Sequence, residues 1–182
     1  MLEKSLATLF ALLILATLIN RFLLWRLPER KGGEVTLRIR TWWGIVICFS
    51  LVISGPRWMT LTFFALISFL ALKEYCTLIS VHFPRWLYWG IPLNYLLIGF
   101  NCFELFLLFI PLAGFLILAT WRVLVGDPSG FLHTVSAIFC GWIMTVFALS
   151  HAAWLLMLPT INIQGGALLV LFLLALTESN DI

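Results

Sequence analysis

Charge is what this chain has least of. Asp, Glu, Lys and Arg make up 10% of the residues against 63% apolar ones, and mean hydropathy is +1.09. Water-soluble domains carry about a quarter charged and about half apolar residues, so composition excludes a soluble fold. No stretch is long and polar enough to form a soluble domain of its own, and the net charge of +3 is too small to point to nucleic acid. Cysteine is sparse as well. Cys48, Cys76, Cys102 and Cys140 stand singly among apolar neighbours with no CxxC pair, which reads as inert thiols rather than a disulfide framework or metal site. Also missing are the phosphate-cradling P-loop, the dinucleotide-binding GxGxxG, the zinc-binding HExxH and the GxSxG nucleophile turn. His82, His133 and His151 lie on separate elements without ligand spacing, and no internal repeat or low-complexity segment is visible.

What remains is a succession of apolar runs. At about 20 residues per crossing, 182 residues have room for about seven spans joined by short loops. The predicted fold is therefore all-α: a polytopic transmembrane helix bundle of about seven spans, one integral membrane domain over residues 1–182. Span one is expected from about Ser5 to Trp25, with Asn20 and Arg21 near its far interface. It carries one lysine and no small-residue cleavage pattern follows it, so a retained span fits better than a signal peptide. The connection from Arg26 to Arg40 is the most polar in the chain and has a turn signal at Gly32-Gly33. Span two, about Trp42 to Gly55, is short, and Pro56 and Arg57 end it.

Span three, Trp58 to Leu72, closes on Lys73-Glu74-Tyr75. Span four begins at the aromatic cluster Trp86, Tyr88 and Trp89 and contains Pro92, which predicts a kink or a break. Asn101 to Glu104 makes a tight connection to span five, Leu105 to Trp121, which has Pro111 inside it. The turn Gly126-Asp127-Pro128-Ser129-Gly130 leads to span six, Phe131 to Leu158, long enough to tilt strongly or to contain an interfacial half-turn. Pro159 to Gln164 leads to span seven, which starts at Gly165 and ends, without a loop, in Glu178, Asn180 and Asp181.

Alternate loops gather Arg26, Arg30, Lys31, Arg38, Arg40, Lys73, Arg85 and Arg122 on one side and leave Lys4 and Arg57 on the other. Basic residues stay cytoplasmic, so the expectation is a multi-pass membrane protein with its carboxyl end in the cytoplasm. Lys73-Glu74 and the terminal acidic cluster then face that same side. Trp25, Trp42, Trp43, Trp58, Trp86, Trp89, Trp121 and Trp154 fall at or near expected span ends, where an amphipathic ring fits the headgroup layer; Trp142 is the exception.

Each polar group has a plain reading and a chemical one. Arg38 and Arg40 either set topology by charge or attract an anionic headgroup or nucleotide phosphates, which the guanidinium fork suits. Lys73 and Glu74 either snorkel at the interface or anchor a polar network. His151, beside Ser150 in an apolar span, reads as a helix–helix hydrogen bond or a site residue. Asp127-Pro128-Ser129-Gly130 is most simply a turn. Glu178, Asn180 and Asp181 are different because they cluster. Two carboxylates and an amide at a membrane edge suit a magnesium ion or a hydrogen-bonded path to phosphates, though an ordinary span terminus would look the same.

These residues, in order, resemble the N-terminal membrane half of the phosphatidate cytidylyltransferases, the CDP-diacylglycerol synthases. The resemblance is closest to an uncharacterised enterobacterial branch of that family. It is carried by Leu37-Arg38-Ile39-Arg40-Thr41-Trp42-Trp43, Ala71-Leu72-Lys73-Glu74-Tyr75, Gly126 to Leu132, Ser150-His151 and Leu176-Thr177-Glu178-Ser179-Asn180-Asp181, and runs over essentially the whole chain. It implies that CTP and phosphatidic acid react at the bilayer surface to give CDP-diacylglycerol and pyrophosphate, with magnesium as cofactor. In the family, the stretch matching Asn180-Asp181 leads on to a cytoplasmic Ser-Pro-Gly-Lys-Thr segment and then to an Asp-rich signature that these 182 residues do not contain. The resemblance therefore implies an N-terminal part of a longer enzyme, inactive alone. Asp181, Asn180 and Glu178 are then its catalytic candidates and Asp181 its metal ligand. Arg38, Arg40, Lys73, Glu74 and His151 line the substrate side. A homo-oligomer is left open. Two other classes stand beside this one. A transporter fragment would have discontinuous helices at Pro92, Pro111 and Gly165-Gly166, but also inverted repeats, which are not visible. A non-catalytic membrane scaffold would tolerate loss of the terminal carboxylates.

Overall fold

The computed structural model describes residues 2–26, 33–79, 81, 83–125, 130–158 and 163–180. Among them every element is helical and no strand occurs. The helices are α1 (Leu2–Arg26), α2 (Gly33–Ser54), α3 (Arg57–Leu78), a 3-10 turn (Arg85–Trp89) running directly into α4 (Gly90–Gly99), α5 (Phe103–Leu124), α6 (Phe131–Met157) and α7 (Ile163–Asn180). Among the described residues four stretches are long and apolar enough to cross a membrane: Val35–Val52 of α2, and the whole of α3, α5 and α6. Large apolar side chains such as Leu51, Leu66, Leu116 and Met144 are exposed on these helices, as expected where hydrocarbon rather than water surrounds them. Hydroxyls on the same surfaces turn back on their own helix: Thr41 donates to the Leu37 carbonyl, Thr62 to Trp58 and Ser136 to Leu132.

The chain divides into two compact units, Met1–Pro56 with Thr160–Ile182, and Arg57–Pro159. In the first, α1 packs against both α2 and α7. Two polar clasps join α1 to α2: Trp43 Nε1 donates to Thr17 Oγ1 and Asn20 Nδ2 to Thr36 Oγ1, each at 3.1 Å. Since 17 meets 43 and 20 meets 36, the two helices run antiparallel. Helix α2 begins at Gly33, so Arg38 and Arg40 belong to its opening turns and not to a loop. Leu37 to Trp43 contains neither glycine nor proline, and arginine favours helix, so nothing stops the helix short of the Gly32-Gly33 signal.

In the second unit α3 packs against α4 and α6, α4 against α5 and α6, and α5 against α6. The core is Leu61, Phe64, Leu72, Leu87, Ile98, Phe106, Ile110, Leu118, Ile138 and Val146, all at most 3% exposed. Pro92 does not break span four. It falls in the first turn of α4, where a missing N–H costs no helical hydrogen bond, and the helix changes from 3-10 to α just before it. Helix α4 ends on Asn101 in the left-handed region (φ 59°), with Cys102 N–H donating to Leu97 O and Asn101 N–H to Ile98 O, a Schellman cap in the connection expected there.

Pro111 is absorbed by a π segment, Phe109–Gly114, which widens α5 without ending it. A second π segment, Ile143–Phe147, lies in the middle of α6. It holds no proline, and nothing in the sequence announces it. Helix α6 is otherwise continuous over 27 residues, so no interfacial half-turn interrupts it. The two π segments pack on one another. Trp142, just before the second, is buried because its ring fills the space left by two glycines. A Cβ on Gly90 would overlap its Cζ2, and one on Gly114 would lie 2.5 Å from Cζ3. That placement explains why this tryptophan alone departs from the span ends.

Candidate functional site

Arg38 and Arg40 are exposed on the opening turns of α2, on the helix that Trp43 and Thr36 clasp to α1. Helix α7 packs on the same α1 and stays helical through Asn180, so the apolar run passes into the acidic cluster without a loop, as the sequence predicts. The side chains of Glu178 and Asn180, and Asp181 as a whole, lie outside the described residues, as do His82 and Gly126 to Ser129. The first unit thus contains Arg38 and Arg40 together with the backbone that carries Glu178 and Asn180.

Lys73, Glu74 and His151 belong to the second unit. Lys73 and Glu74 are exposed near the end of α3, flanking Tyr75. The Tyr75 hydroxyl donates to the Ala137 carbonyl of α6 at 2.8 Å, and its ring covers Gly141, where no Cβ would fit. With Tyr75 turned in against α6, the two charged neighbours are held outward. His151 is half-buried, with Nδ1 2.7 Å from the Phe147 carbonyl four residues back. A carbonyl only accepts, so Nδ1 carries the proton. Ser150 Oγ donates to that same carbonyl at 2.7 Å, at the end of the π segment. The His151 ring stands edge-on to Phe147 (4.6 Å between centroids) and beside Phe106 (5.0 Å). The Nδ1 hydrogen bond lies within its own helix, not between helices.

The structure adds polar groups that the sequence reading passed over. Ser68 and Tyr95 share a buried hydrogen bond of 2.7 Å between α3 and α4. Asn94 beside it is fully buried, and neither its Oδ1 nor its Nδ2 has a partner among the described residues. An amide and a phenol at successive positions of an apolar span were the signal for both, because polar groups at membrane depth are seldom there without a task. Among the described residues no group of three or more His, Cys, Asp or Glu side chains comes together.

The sequence profile of the cytidylyltransferase family matches residues 36–182, a range that takes in every candidate residue from Arg38 to Asp181. The chain is 97% identical over all 182 residues to the protein titled "Uncharacterized protein YnbB" of Escherichia coli (strain K12), and spans 61% of that relative's length. No solved structure matches it. With most of its length inside the family profile, the chain belongs to the cytidylyltransferase family of the CDP-diacylglycerol synthases.

Proposed function

We propose that the protein transfers the cytidylyl group of CTP to phosphatidic acid, giving CDP-diacylglycerol and pyrophosphate at the inner leaflet of a bacterial inner membrane. The observation that carries this reading is the family match over residues 36–182, a range that runs from just before the arginine pair of α2 to the end of the chain. In the reaction a phosphate oxygen of the lipid attacks the α-phosphorus of CTP. The new P–O bond forms as the bond to the bridging β-phosphate oxygen breaks, and pyrophosphate leaves. Both reactants are anions, so a catalyst must align them and offset their charge.

The first unit suits that demand. Seven crossings, with the 3-10 turn and α4 (Arg85–Gly99) together making one and α1 and α7 two more beside the four long apolar helices, would send α1 and α7 the same way through the membrane and α2 the opposite way. The start of α2 and the end of α7 then share one side, the cytoplasmic one by basic-residue count. Arg38 and Arg40 would take phosphate oxygens through their guanidinium forks. Asp181, assisted by Asn180 and Glu178, would act at the reacting centre. These are hard oxygen donors of the kind magnesium accepts, and the ion, when bound, would draw negative charge from the phosphates. Residues 1–182 would supply the lipid-facing wall and one edge of this site, with the remainder drawn from the part of the relative's length that the chain does not span.

The test is an assay of the full-length protein in proteoliposomes with labelled CTP, phosphatidic acid and magnesium. Equimolar CDP-diacylglycerol and pyrophosphate are expected, with Asp181→Asn abolishing turnover. Product that does not depend on phosphatidic acid would overturn the substrate assignment, and full activity of Asp181→Asn would favour a scaffold role for this region. Robust turnover by residues 1–182 alone would refute the division of the site.

A further inference from the structure

Side-chain contacts fix the register of the second unit from one end to the other. Near the close of α3, the Tyr75 hydroxyl reaches the Ala137 carbonyl and the ring covers Gly141, both early in α6. Tyr88 of the 3-10 turn donates to Cys76 at that same end, and Trp86 meets Trp121 of late α5 edge to face. At the opening of α3, the Trp58 ring covers Gly99, and Arg57 holds Ile98 O and Asn101 Oδ1 at the end of α4. Helix α5 starts there, and its first turn binds late α6: Phe103 stacks on Trp154 at 4.2 Å between centroids, and Phe106 meets His151 at 5.0 Å. Helices α3 and α6 therefore run antiparallel. Lys73 and Glu74, immediately before Tyr75, lie at the end where α6 begins, whereas His151 lies toward the end where α6 closes. The stretch of α6 from Ala137 to His151 rises about 20 Å at ~1.5 Å per residue.

We infer that His151 serves the membrane face opposite Lys73 and Glu74, the non-cytoplasmic one, and is set apart from the substrate side to which the family resemblance assigns it. It shares that face with Arg57, Asn101 and the exposed Glu104. The end with Lys73 and Glu74 also carries Arg85, Arg122 and His133, and Asp127 lies in the connection from α5 to α6. Three basic residues against the single Arg57 put the Lys73 end in the cytoplasm, since lysine and arginine, not net charge, set orientation. A hydrocarbon core is about 30 Å thick, so a rise of about 20 Å carries the imidazole most of the way across. A nucleotide held in water beside Lys73 and Glu74 does not touch it. The Nδ1–H is committed to the Phe147 carbonyl, which leaves the Nε2 lone pair for a hydrogen-bond donor arriving from the other face. The placement rests on contacts within one unit, so it stands whether or not the protein transfers cytidylyl groups.

Single cysteines in a cysteine-free full-length protein, labelled with a small membrane-impermeant methanethiosulfonate, read the two ends directly. In intact spheroplasts Glu104→Cys and His151→Cys should react, and Lys73→Cys should react only after permeabilisation. Position 151 is half-buried, so Trp154→Cys, about one turn nearer the close of α6, is read by the same criterion and decides the matter if His151→Cys reacts under neither condition. In detergent, CTP with magnesium should leave the labelling rate of His151→Cys unchanged. Reaction of either α6 position only after permeabilisation overturns the inference. Protection of His151→Cys by CTP overturns it too, because it would bring the imidazole to the nucleotide.

Discussion

Trp142 gives the packing argument its sharpest test. The indole is 3% exposed and closed in from two directions, by Gly90 at the start of α4 and by Gly114 at the end of the π segment of α5. A methyl group at Gly90 would occupy the space of Cζ2, and the ring cannot swing away without meeting Gly114. Overpacking of this kind costs about 1–3 kcal/mol. At ~2–4 °C per kcal/mol for a protein of this size, Gly90→Ala should lower the thermal midpoint by about 2–12 °C. Trp142→Phe acts in two directions. It gives up buried ring area, but it also removes an indole N–H that has no partner among the described residues, and an orphaned buried donor is itself unfavourable by ~1–3 kcal/mol. The single change should therefore be mild. The double variant Gly90→Ala/Trp142→Phe should be more stable than the sum of the singles by about 1 kcal/mol or more, since the smaller ring vacates the space that the methyl needs. Midpoints are read from the loss of helical circular dichroism in detergent micelles. A Gly90→Ala variant as stable as wild type, or strictly additive midpoints, would refute the reasoning.

Two further outcomes follow from individual contacts. Arg57 donates to Ile98 O at 2.8 Å and to Asn101 Oδ1 at 2.6 Å, fastening the start of α3 to the capped end of α4, so Arg57→Ala should lose ~1.5–3 kcal/mol in denaturant titrations and Arg57→Lys should recover part of it. Tyr95→Phe and Ser68→Ala each strand the other hydroxyl in a buried site; the double variant should be no less stable than the worse single, and additive losses would show that the two hydroxyls are not paired.

Much of the helical framework was legible because hydrocarbon imposes a simple code of apolar runs broken by charge, glycine and proline. Asn101 to Glu104 reads as a tight connection, and the structure places there an asparagine suited to the left-handed cap. The limits of α2 were less legible, since positive charge suggested a loop where helix propensity and the Gly32-Gly33 signal govern instead. Pro92 suggests a kink or a break, but it sits in a first turn and does not interrupt α4, whereas Pro111 lies inside its span, as expected, within a π segment. The π segment of α6 and the slot around Trp142 depend on shape complementarity between helices distant in sequence, which single-chain periodicity does not carry. Of the polar groups, the exposed pairs Arg38 with Arg40 and Lys73 with Glu74 were conspicuous, whereas Ser68, Asn94 and Tyr95 were submerged in apolar sequence and became visible through burial.

The most direct test of the central claim, that the arginine pair and the acidic cluster meet CTP on one side of the membrane, is labelling of introduced cysteines. In a cysteine-free full-length protein in intact spheroplasts, Arg38→Cys and Ile182→Cys should both resist a membrane-impermeant maleimide and both react once the membrane is permeabilised. Reaction of either one from the outside would separate the two groups and contradict the account.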